Sequence, residues 1–469
     1  MTGSERPLTA VVLAAGEGTR MKSSTPKVLH KLCGRQMILW VLEALEPLGC
    51  DQVIVVAGHG ADEVAEVIEE LAPRELPVVI VEQAERRGTG DATSVALAYL
   101  DETDPEGESD ILVVNGDGPV ITSETLAELV VMHTTVGTSA TILSARLDDP
   151  TGYGRIVRDS DGGVTKIVEE ADCGPEEAAI NEVNAGFYCF DRPQLGSSLE
   201  LIAPDNAQGE QYLPDAVKLL VDSGKLVEAF EAPADEVLGV NSRSDLAKAE
   251  SILRARINQF HMAEGVTMVD PESTYVDAEV SMGQDVVLLP NTHLQGETSI
   301  GDHCEIGPDV RIVDSVVGPR SCVTYSVVRE ATLAHDVTVG PFASIRPGVR
   351  IEAGVHIGTS VELKNTSVGE GSKVPHLAYL GDAEIGADVN VGAGTITCNY
   401  DGEAKHRTVV EDGARIGSDT MLVAPVTVGR DAYTAAGSAI TIDVPEGSLG
   451  VARAKQRNVD GWVARKRRG

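Results

Sequence analysis

Aromatic side chains are scarce in this 469-residue chain, at 3% of its residues, which argues against large ring-filled cores and, with 48 glycines, for a glycine-rich architecture. Positive charge is scarce too. Only 38 Lys and Arg stand against 73 Asp and Glu, a formal charge of -35, so most of the surface would repel nucleic acid and anionic membrane. An anionic ligand has to be caught locally, by cations gathered at one place. No apolar run reaches the roughly 18 residues a membrane helix needs, so no membrane insertion is expected. The start, MTGSERPLTAVVLAAGEG, lacks the basic region and cleavage site of a signal peptide, and we expect a soluble cytoplasmic protein. Seven cysteines, an odd number without a CxxC pair, fit neither a disulfide framework nor a zinc ribbon.

What is present divides into two patterns. From Leu8 to about Leu246 short β-branched runs alternate with helical spacings, the signature of a mostly parallel sheet covered by helices. The strands read as TAVVLAA, VIVVA from Val53, VVIV from Val78 and ILVVN from Ile111. Ile38, Val41, Leu42, Leu45 and Leu48 keep helical spacing between the first two, as do Val64, Val67, Ile68 and Leu71 after the second. Ligands of such sheets sit beyond the carboxyl ends of the strands, which directs attention to the loops after Ala15 and Asn115. A glycine-free, helix-forming stretch from Leu246 to Glu264 reads as a connector. The expected division is therefore 1–243, a linker helix 244–264, and 265–469.

Beyond the linker a six-residue period takes over: Ile300, Ile306 and Ile312, then Leu333, Val339, Ile345, Ile351, Ile357 and Leu363. After one-residue slips it continues as Val368, Val374 and Leu380, then Ile385 and Val391. It resumes behind an interruption at CNYDGEAKHR as Val410, Ile416, Leu422, Val428, Thr434 and Ile440. Six fits neither a helix nor a free strand, but it fits a short strand plus a tight turn repeated around a triangular coil. At about 18 residues per turn, residues 300–443 make roughly eight coils of a parallel β-helix. A narrow prism takes one aliphatic per face, which accounts for the missing aromatics. An insertion in a solenoid maps to a protruding loop, often on the binding face.

LAAGEGTRM, residues 13–21, follows the first strand directly. Its glycines let a phosphate or sugar approach the backbone and Arg20 supplies charge, although a plain strand-to-helix turn reads the same. Lys27, in TPKVLHKL, adds a cation or is a solvated surface charge. Asp117, in GDG, leaves the carboxyl edge of ILVVN, where a carboxylate can hold Mg²⁺ against phosphates; a turn aspartate is the plainer alternative. His376, in SKVPHLAYLGD, is either a structural histidine or, titrating near neutrality, a general base.

LAAGEGTRM with PKVLH, RGTGDA, NGDGP, TGYGRI, VEE, NAG and GVNS, in this order, resembles the sugar nucleotidyltransferases. Joined to hexapeptide repeats carrying HLAYLGDAEIG and NVGAGTITCNYDG, nearly the whole chain resembles the bacterial bifunctional N-acetylglucosamine-1-phosphate uridyltransferase and glucosamine-1-phosphate acetyltransferase family. The resemblance implies a Rossmann-like nucleotidyltransferase domain, a connecting helix and a C-terminal left-handed parallel β-helix. It further implies a cytoplasmic homotrimer, with UTP and acetyl-CoA as substrates and Mg²⁺ as cofactor. On this resemblance Leu13, Ala14, Ala15, Gly16, Gln83, Gly88 and Thr89 hold the uracil nucleotide, with Asn115 and Gly116 beside it. Arg20 and Lys27 serve the phosphates and the catalysis, Asp117 and Asn241 ligate Mg²⁺, and Gly154, Glu169 and Asn184 contact the sugar. In the β-helix it implies His376 as general base, with Arg346, Lys364, Tyr379 and Asn390 on glucosamine-1-phosphate. Ala393, Asn399, Tyr400, Ser418, Ala436 and Arg453 fall on acetyl-CoA. Three positions depart from the family's pattern: Asp91 where it usually has His, Gly118 where it has an aliphatic residue, and Gln211 where it has an aromatic one.

Other readings stay open on the sequence. One is a single-activity sugar-nucleotide pyrophosphorylase with the β-helix as assembly module, and another is a nonenzymatic sugar-nucleotide sensor. For the β-helix alone, His335, His356 and His376, spaced 21 and 20 residues, could converge on zinc.

Overall fold

In the computed structural model, which describes residues 6–467 apart from 17, 86, 106 and 205, the run LTAVVLA forms strand β1 (Leu8–Ala14) inside a nine-stranded sheet. Ala10, Val12 and Ala14 pack into one helical layer and Val11 into the other, which is why the strand is aliphatic throughout rather than alternating. The strands that follow are β2 (Gln52–Ala57), β3 (Val78–Glu82), β4 (Asp110–Asn115) and β5 (Ala140–Arg146). After them come β6 (Gly154–Arg158), β7 (Val164–Val168), β8 (Glu182–Asp191) and β9 (Val227–Glu231). Their order is β9-β5-β8-β4-β1-β2-β3, with the β6–β7 hairpin attached to β8.

β1 is parallel to both β2 and β4, and β8 runs antiparallel between β4 and β5. The chain therefore leaves β1 toward opposite sides of the sheet, opening a crevice at the carboxyl ends of β1 and β4. Leu13 stands opposite Asn115 in the register, and the Gly116 N–H bonds the Leu13 carbonyl at 2.9 Å, so the two loops singled out above lie side by side. The chain divides into two compact units, Met1–Leu253 and Arg254–Gly469, and the division falls within one long helix, Arg243–Ala263.

The second unit is a left-handed parallel β-helix of three sheets with 11, 10 and 9 strands, running from Thr267–Met268 to Leu449–Gly450. Residues 300–443 hold the expected eight coils, but the β-helix begins before them, at Thr267. Val276, Met282, Leu288 and Leu294 already keep the six-residue spacing into Ile300, hidden by a polar, glycine-poor stretch. Between Ile312 and Leu333 the core positions are Val317, Val323 and Val328, all fully buried, because some corners are one residue shorter. A residue with positive φ turns each corner, joined at two of them by a second, Gly307 or Gly340. From Ile300 to Val391 it follows the buried aliphatic by three residues where the step is six, as at His303, Asp336 and Phe342. It follows by two where the step is five, as at Asp314, Tyr325, Glu330, Asn365 and Asp382. Asn and Asp tolerate that conformation best among residues with a Cβ, and they hold many of these corners. Each fully buried Val, Leu or Ile in the prism contributes about 1.5–3 kcal/mol, without any need for a ring. Among the described residues no helix is long and apolar enough to cross a membrane, and no disulfide joins the cysteines.

Candidate functional site

In the first unit three loops converge at the mouth of β1 and β4. The chain leaves β1 through Gly18 (φ +61°), where a Cβ would stand 2.8 Å from the Cβ of Lys27. Lys27 opens the single turn Lys27–Leu29; its ammonium donates to Asn241 Oδ1 at 2.8 Å and pairs with Asp117 Oδ2. Two clamps bring Asn241 there. The Val240 N–H donates to the Asp117 carbonyl at 2.9 Å, and reciprocal bonds of 2.9 and 3.2 Å between Ser242 and Asp245 open the long helix just behind it.

Two cavities meet at this point. One, of about 570 Å³, is lined by Leu13, Ala15, Gly16, Lys27, Gln83, Gly88 and Thr89. The other, of about 550 Å³, is lined by Tyr153, Gly154, Glu169 and Asn184. Both share Arg20, Asn115, Asp117 and Asn241. Ala14 and Gly116 line neither: Ala14 lies in the core, and Gly116 ties the two loops together through its N–H. Glu210, which the sequence did not single out, lines the first cavity. Burial pushes the Glu169 carboxyl up, Asp215 and Asp172 add to the shift, and Arg155 opposes it. Asn184 is oriented by donating to Tyr188 Oη at 2.7 Å and accepting the Gly186 N–H at 3.1 Å.

Asp117 and Asn241 offer one carboxylate and one amide oxygen that a single cationic group, the Lys27 ammonium, already reaches together. Among the described residues no cluster of three or more His, Cys, Asp or Glu could hold a metal. This donor set fits Mg²⁺, which takes one or two protein carboxylates and leaves its other positions to phosphate and water. Within the chain, His335, His356 and His376 do not gather into such a cluster either. His335 pairs with Asp336 at 2.7 Å, the His356 ring bonds Thr338 Oγ1 at 2.7 Å, and His376 stands opposite Thr359, three residues beyond His356 on its strand.

The three departures from the family pattern each have a local reason. A Cβ on Gly118 would lie 2.6 Å from Phe187 Cζ, so the buried Phe187 ring takes the room an aliphatic side chain would need. Gln211 accepts the Gly90 N–H at 2.8 Å and donates to the Arg87 carbonyl at 2.6 Å through its backbone, and its Nε2 donates to the Ile202 carbonyl at 3.2 Å. Asp91 accepts a hydrogen bond from Gln83 Nε2 at 2.7 Å and faces Arg87 Nε at 3.4 Å, so its charge is met locally.

In the second unit, the residues matched to the acetyl site lie along coil edges. Gly394 N–H bonds the His376 carbonyl at 3.3 Å, Asp419 N–H that of Ala393 at 2.7 Å, and Gly437 N–H that of Ser418 at 2.8 Å. His376, Ala393, Ser418 and Ala436 therefore climb one edge of the prism, with the His376 side chain exposed and small residues above it. On the adjoining sheet Tyr379 stands opposite Glu362, and Lys364 opposite Gly381; Arg346 Nη1 bonds Glu362 Oε1 at 2.8 Å. Asn390 lies on the sheet of His376, opposite Lys373. Asn399 Nδ2 donates to Asp382 Oδ2 at 2.5 Å and Asn365 Nδ2 to Oδ1 at 2.7 Å. Burial would raise the Asp382 carboxyl, but these bonds, with Lys364 and Lys405 nearby, bring it below its usual range.

CNYDGEAKHR folds back as a small hairpin, with Tyr400 bridging to Lys405 and His406 Nε2 bonding Asp401 Oδ2 at 2.6 Å. The fold-back sets Lys405 against Lys364, whose hydrogen bond and charge pull the Lys405 ammonium below its ordinary range. The sequence reading missed Lys405; the break in period was the signal that could have found it. Two cationic side chains thus lie together next to Tyr379, an arrangement able to attract an anion. Tyr400 and Arg453 are exposed, and the Tyr400 hydroxyl donates within the hairpin, to the Gly402 carbonyl at 2.6 Å.

Comparison with known proteins agrees with both halves of this picture. Residues 10–159 match the family model for the MobA-like NTP transferase domain. The chain is 50% identical over 456 residues to the "Bifunctional protein GlmU" of Caldanaerobacter subterraneus subsp. tengcongensis, covering 97% of each chain. To the protein of the same name from Thermoanaerobacter pseudethanolicus it is again 50% identical, with 97% of each covered. To that of Streptomyces avermitilis it is 48% identical over 467 residues, covering 99% of this chain and 95% of the other.

Proposed function

Since the chain belongs to the family of bifunctional GlmU proteins, we propose a division of labour in which the β-helix acetylates glucosamine-1-phosphate and the sheet unit couples the product to UTP. The enzyme is a bifunctional acetyltransferase and uridyltransferase, and its product is UDP-N-acetylglucosamine. The observation that carries the uridyl reading is the meeting of two cavities at Arg20, Asn115, Asp117 and Asn241. UTP takes the cavity of Gln83, Gly88 and Thr89, and the sugar phosphate that of Gly154, Glu169 and Asn184, so that a phosphate oxygen of the sugar lines up on the α-phosphorus. That oxygen attacks in line, the bond to the β-phosphate breaks and pyrophosphate leaves. Catalysis is positioning plus neutralisation of charge, with no nucleophilic side chain. Arg20 and Lys27 hold phosphate oxygens. Asp117 and Asn241 would hold Mg²⁺, which when bound supplies charge stabilisation to the phosphates.

In the β-helix, Arg346, Lys364 and Lys405 hold the sugar phosphate, with Tyr379 and Asn390 on the sugar, and acetyl-CoA lies along the Ala393, Ser418 and Ala436 edge. Asn399, Tyr400 and Arg453 contact the CoA. The amine attacks the thioester carbon, His376 takes the proton the nitrogen sheds, and the carbon–sulfur bond breaks to release CoA. Backbone N–H groups near Ala393 can stabilise the tetrahedral oxyanion. We also propose a homotrimer through the β-helix. Tyr325, Phe342 and Leu377 climb one column of corners toward His376, with Ser360 between the last two, at 42%, 65% and 65% exposure, more apolar surface than a corner in water needs.

Incubation with glucosamine-1-phosphate, acetyl-CoA, UTP and Mg²⁺, followed by mass analysis, tests the assignment: UDP-N-acetylglucosamine, CoA and pyrophosphate are expected. Absence of thiol release would remove the acetyl assignment. Light scattering tests the trimer, which Phe342→Glu should weaken.

A further inference from the structure

Gln83 follows β3, lines the nucleotide cavity and is 4% exposed. A glutamine amide has two N–H donors at one end and an acceptor at the other, and what a ligand meets depends on what holds the rest of it. Here both donors are engaged. Nε2 donates to Asp91 Oδ2 at 2.7 Å and to the Gly88 carbonyl at 3.3 Å. A carbonyl and an ionised carboxylate only accept, so turning the amide over would set its oxygen against two acceptors in a buried place. Asp91 is itself held firmly, 8% exposed in the first turn of the helix Thr89–Thr103, with Arg87 beside its other oxygen. Among the described residues no group donates to Gln83 Oε1, which is the end left for a ligand.

We propose that Asp91 is a positioning residue for base selection: it locks the Gln83 amide with its oxygen toward the nucleotide, so that among pyrimidines the site takes one presenting an imide N–H. This rests on the reading of the cavity as the nucleotide site. Uracil presents N3–H as a donor, whereas cytosine presents a bare N3, and the Gln83 oxygen would then face another acceptor. Sites built to bond a substrate N–H reject analogues that lack it far more strongly than apolar pockets reject a missing methylene. Since the family usually has His at this position, selection through a carboxylate belongs to this chain and does not come with the resemblance.

The test uses the full-length enzyme with Asp91→Asn and Asp91→Ala. Asparagine keeps the shape but brings a donor that can face Gln83 Oε1 and let the amide turn, and alanine, at home in a helix, removes the lock. Pyrophosphate release is measured with UTP and with CTP, with N-acetylglucosamine-1-phosphate and Mg²⁺ present, and the binding of each nucleotide is measured alongside. The preference for UTP over CTP in kcat/KM should shrink by about tenfold in both variants, the worth of one hydrogen bond to a buried group. A purely structural role would lower turnover with both nucleotides in equal proportion. That outcome, an unchanged ratio, or loss of folding in both variants overturns the proposal; if only one variant unfolds, the other decides. A wild-type enzyme that does not turn over UTP overturns the nucleotide reading itself, and the proposal with it.

Discussion

The sheet unit gathers its proposed site from positions as far apart as Leu13 and Asn241, each delivered by a different loop and held by its own clamp: Gly116 on Leu13, Val240 on Asp117, Lys27 on Asn241. The β-helix takes its site from neighbouring coils, where His376, Ala393, Ser418 and Ala436 occupy equivalent places on one edge. A gathered site depends on loops that the core does not specify. A laddered site inherits its geometry from the repeat, and only its insertions are free. Loss of one side chain should therefore disable one unit and leave the other untouched.

The hardest test is Asp117→Ala. Uridyl transfer should fall by about 10³ or more, the scale of removing a main charge-positioning group from a phosphoryl site. Acetyl transfer should not change, and a parallel fall in CoA release would break the contrast. His376→Ala should lower kcat of acetyl transfer by about 10² to 10⁴, the usual worth of a positioned base, with uridyl transfer intact. That defect should shrink as pH rises and more of the amine substrate is already deprotonated.

The units can also be compared by acid. Burial pushes the His133 imidazole down to about 4, with Asp191 opposing and Arg6 assisting. From about pH 6.5 down to 4 the unfolded chain binds a proton that the folded chain refuses, so stability is lost as pH falls through that window, by about 3 kcal/mol. Asp110, whose carboxyl burial pushes up, offsets part of this at the acid end. Hydrogen exchange read on sheet-unit peptides should show the loss, and His133→Asn should flatten it. The smallest expected effect is on Lys405. Lys405→Ala should raise the KM for glucosamine-1-phosphate about tenfold with kcat little changed, as loss of one charge-assisted contact does. An unchanged KM would take the hairpin out of the phosphate site.

The parallel strands and the repeat were legible in the sequence because both rest on periodicity. β1 through β4 are aliphatic runs, and one buried side chain marks each face of the prism. Strands β5 to β9 were not placed, since their pairing, antiparallel through β8 and the β6–β7 hairpin and parallel between β5 and β9, is set by long-range register rather than local pattern. Of the candidate site residues, Lys27 and Asp117 could be singled out by residue type and loop position, and His376 by residue type together with the resemblance. For Lys405 the break in period pointed to the hairpin, but its approach to Lys364 could not be read, since it exists only once the hairpin has folded back. Nor could the meaning of Asp91, a departure by type that becomes intelligible through one hydrogen bond to Gln83.

The coils between Thr267 and Val339 carry none of the proposed site residues. Successive coils are in register at offsets such as 17 residues from His356 to Lys373 and 18 from Thr338 to His356. Evolution can therefore treat the length of this stretch as a separate quantity. Gain or loss of one whole coil would move the acetyl site by about 4.8 Å along the axis without altering its internal geometry. Loss of a single residue from a strand, by contrast, would turn the buried aliphatics outward. Descendants of this chain should differ in this stretch by whole coils.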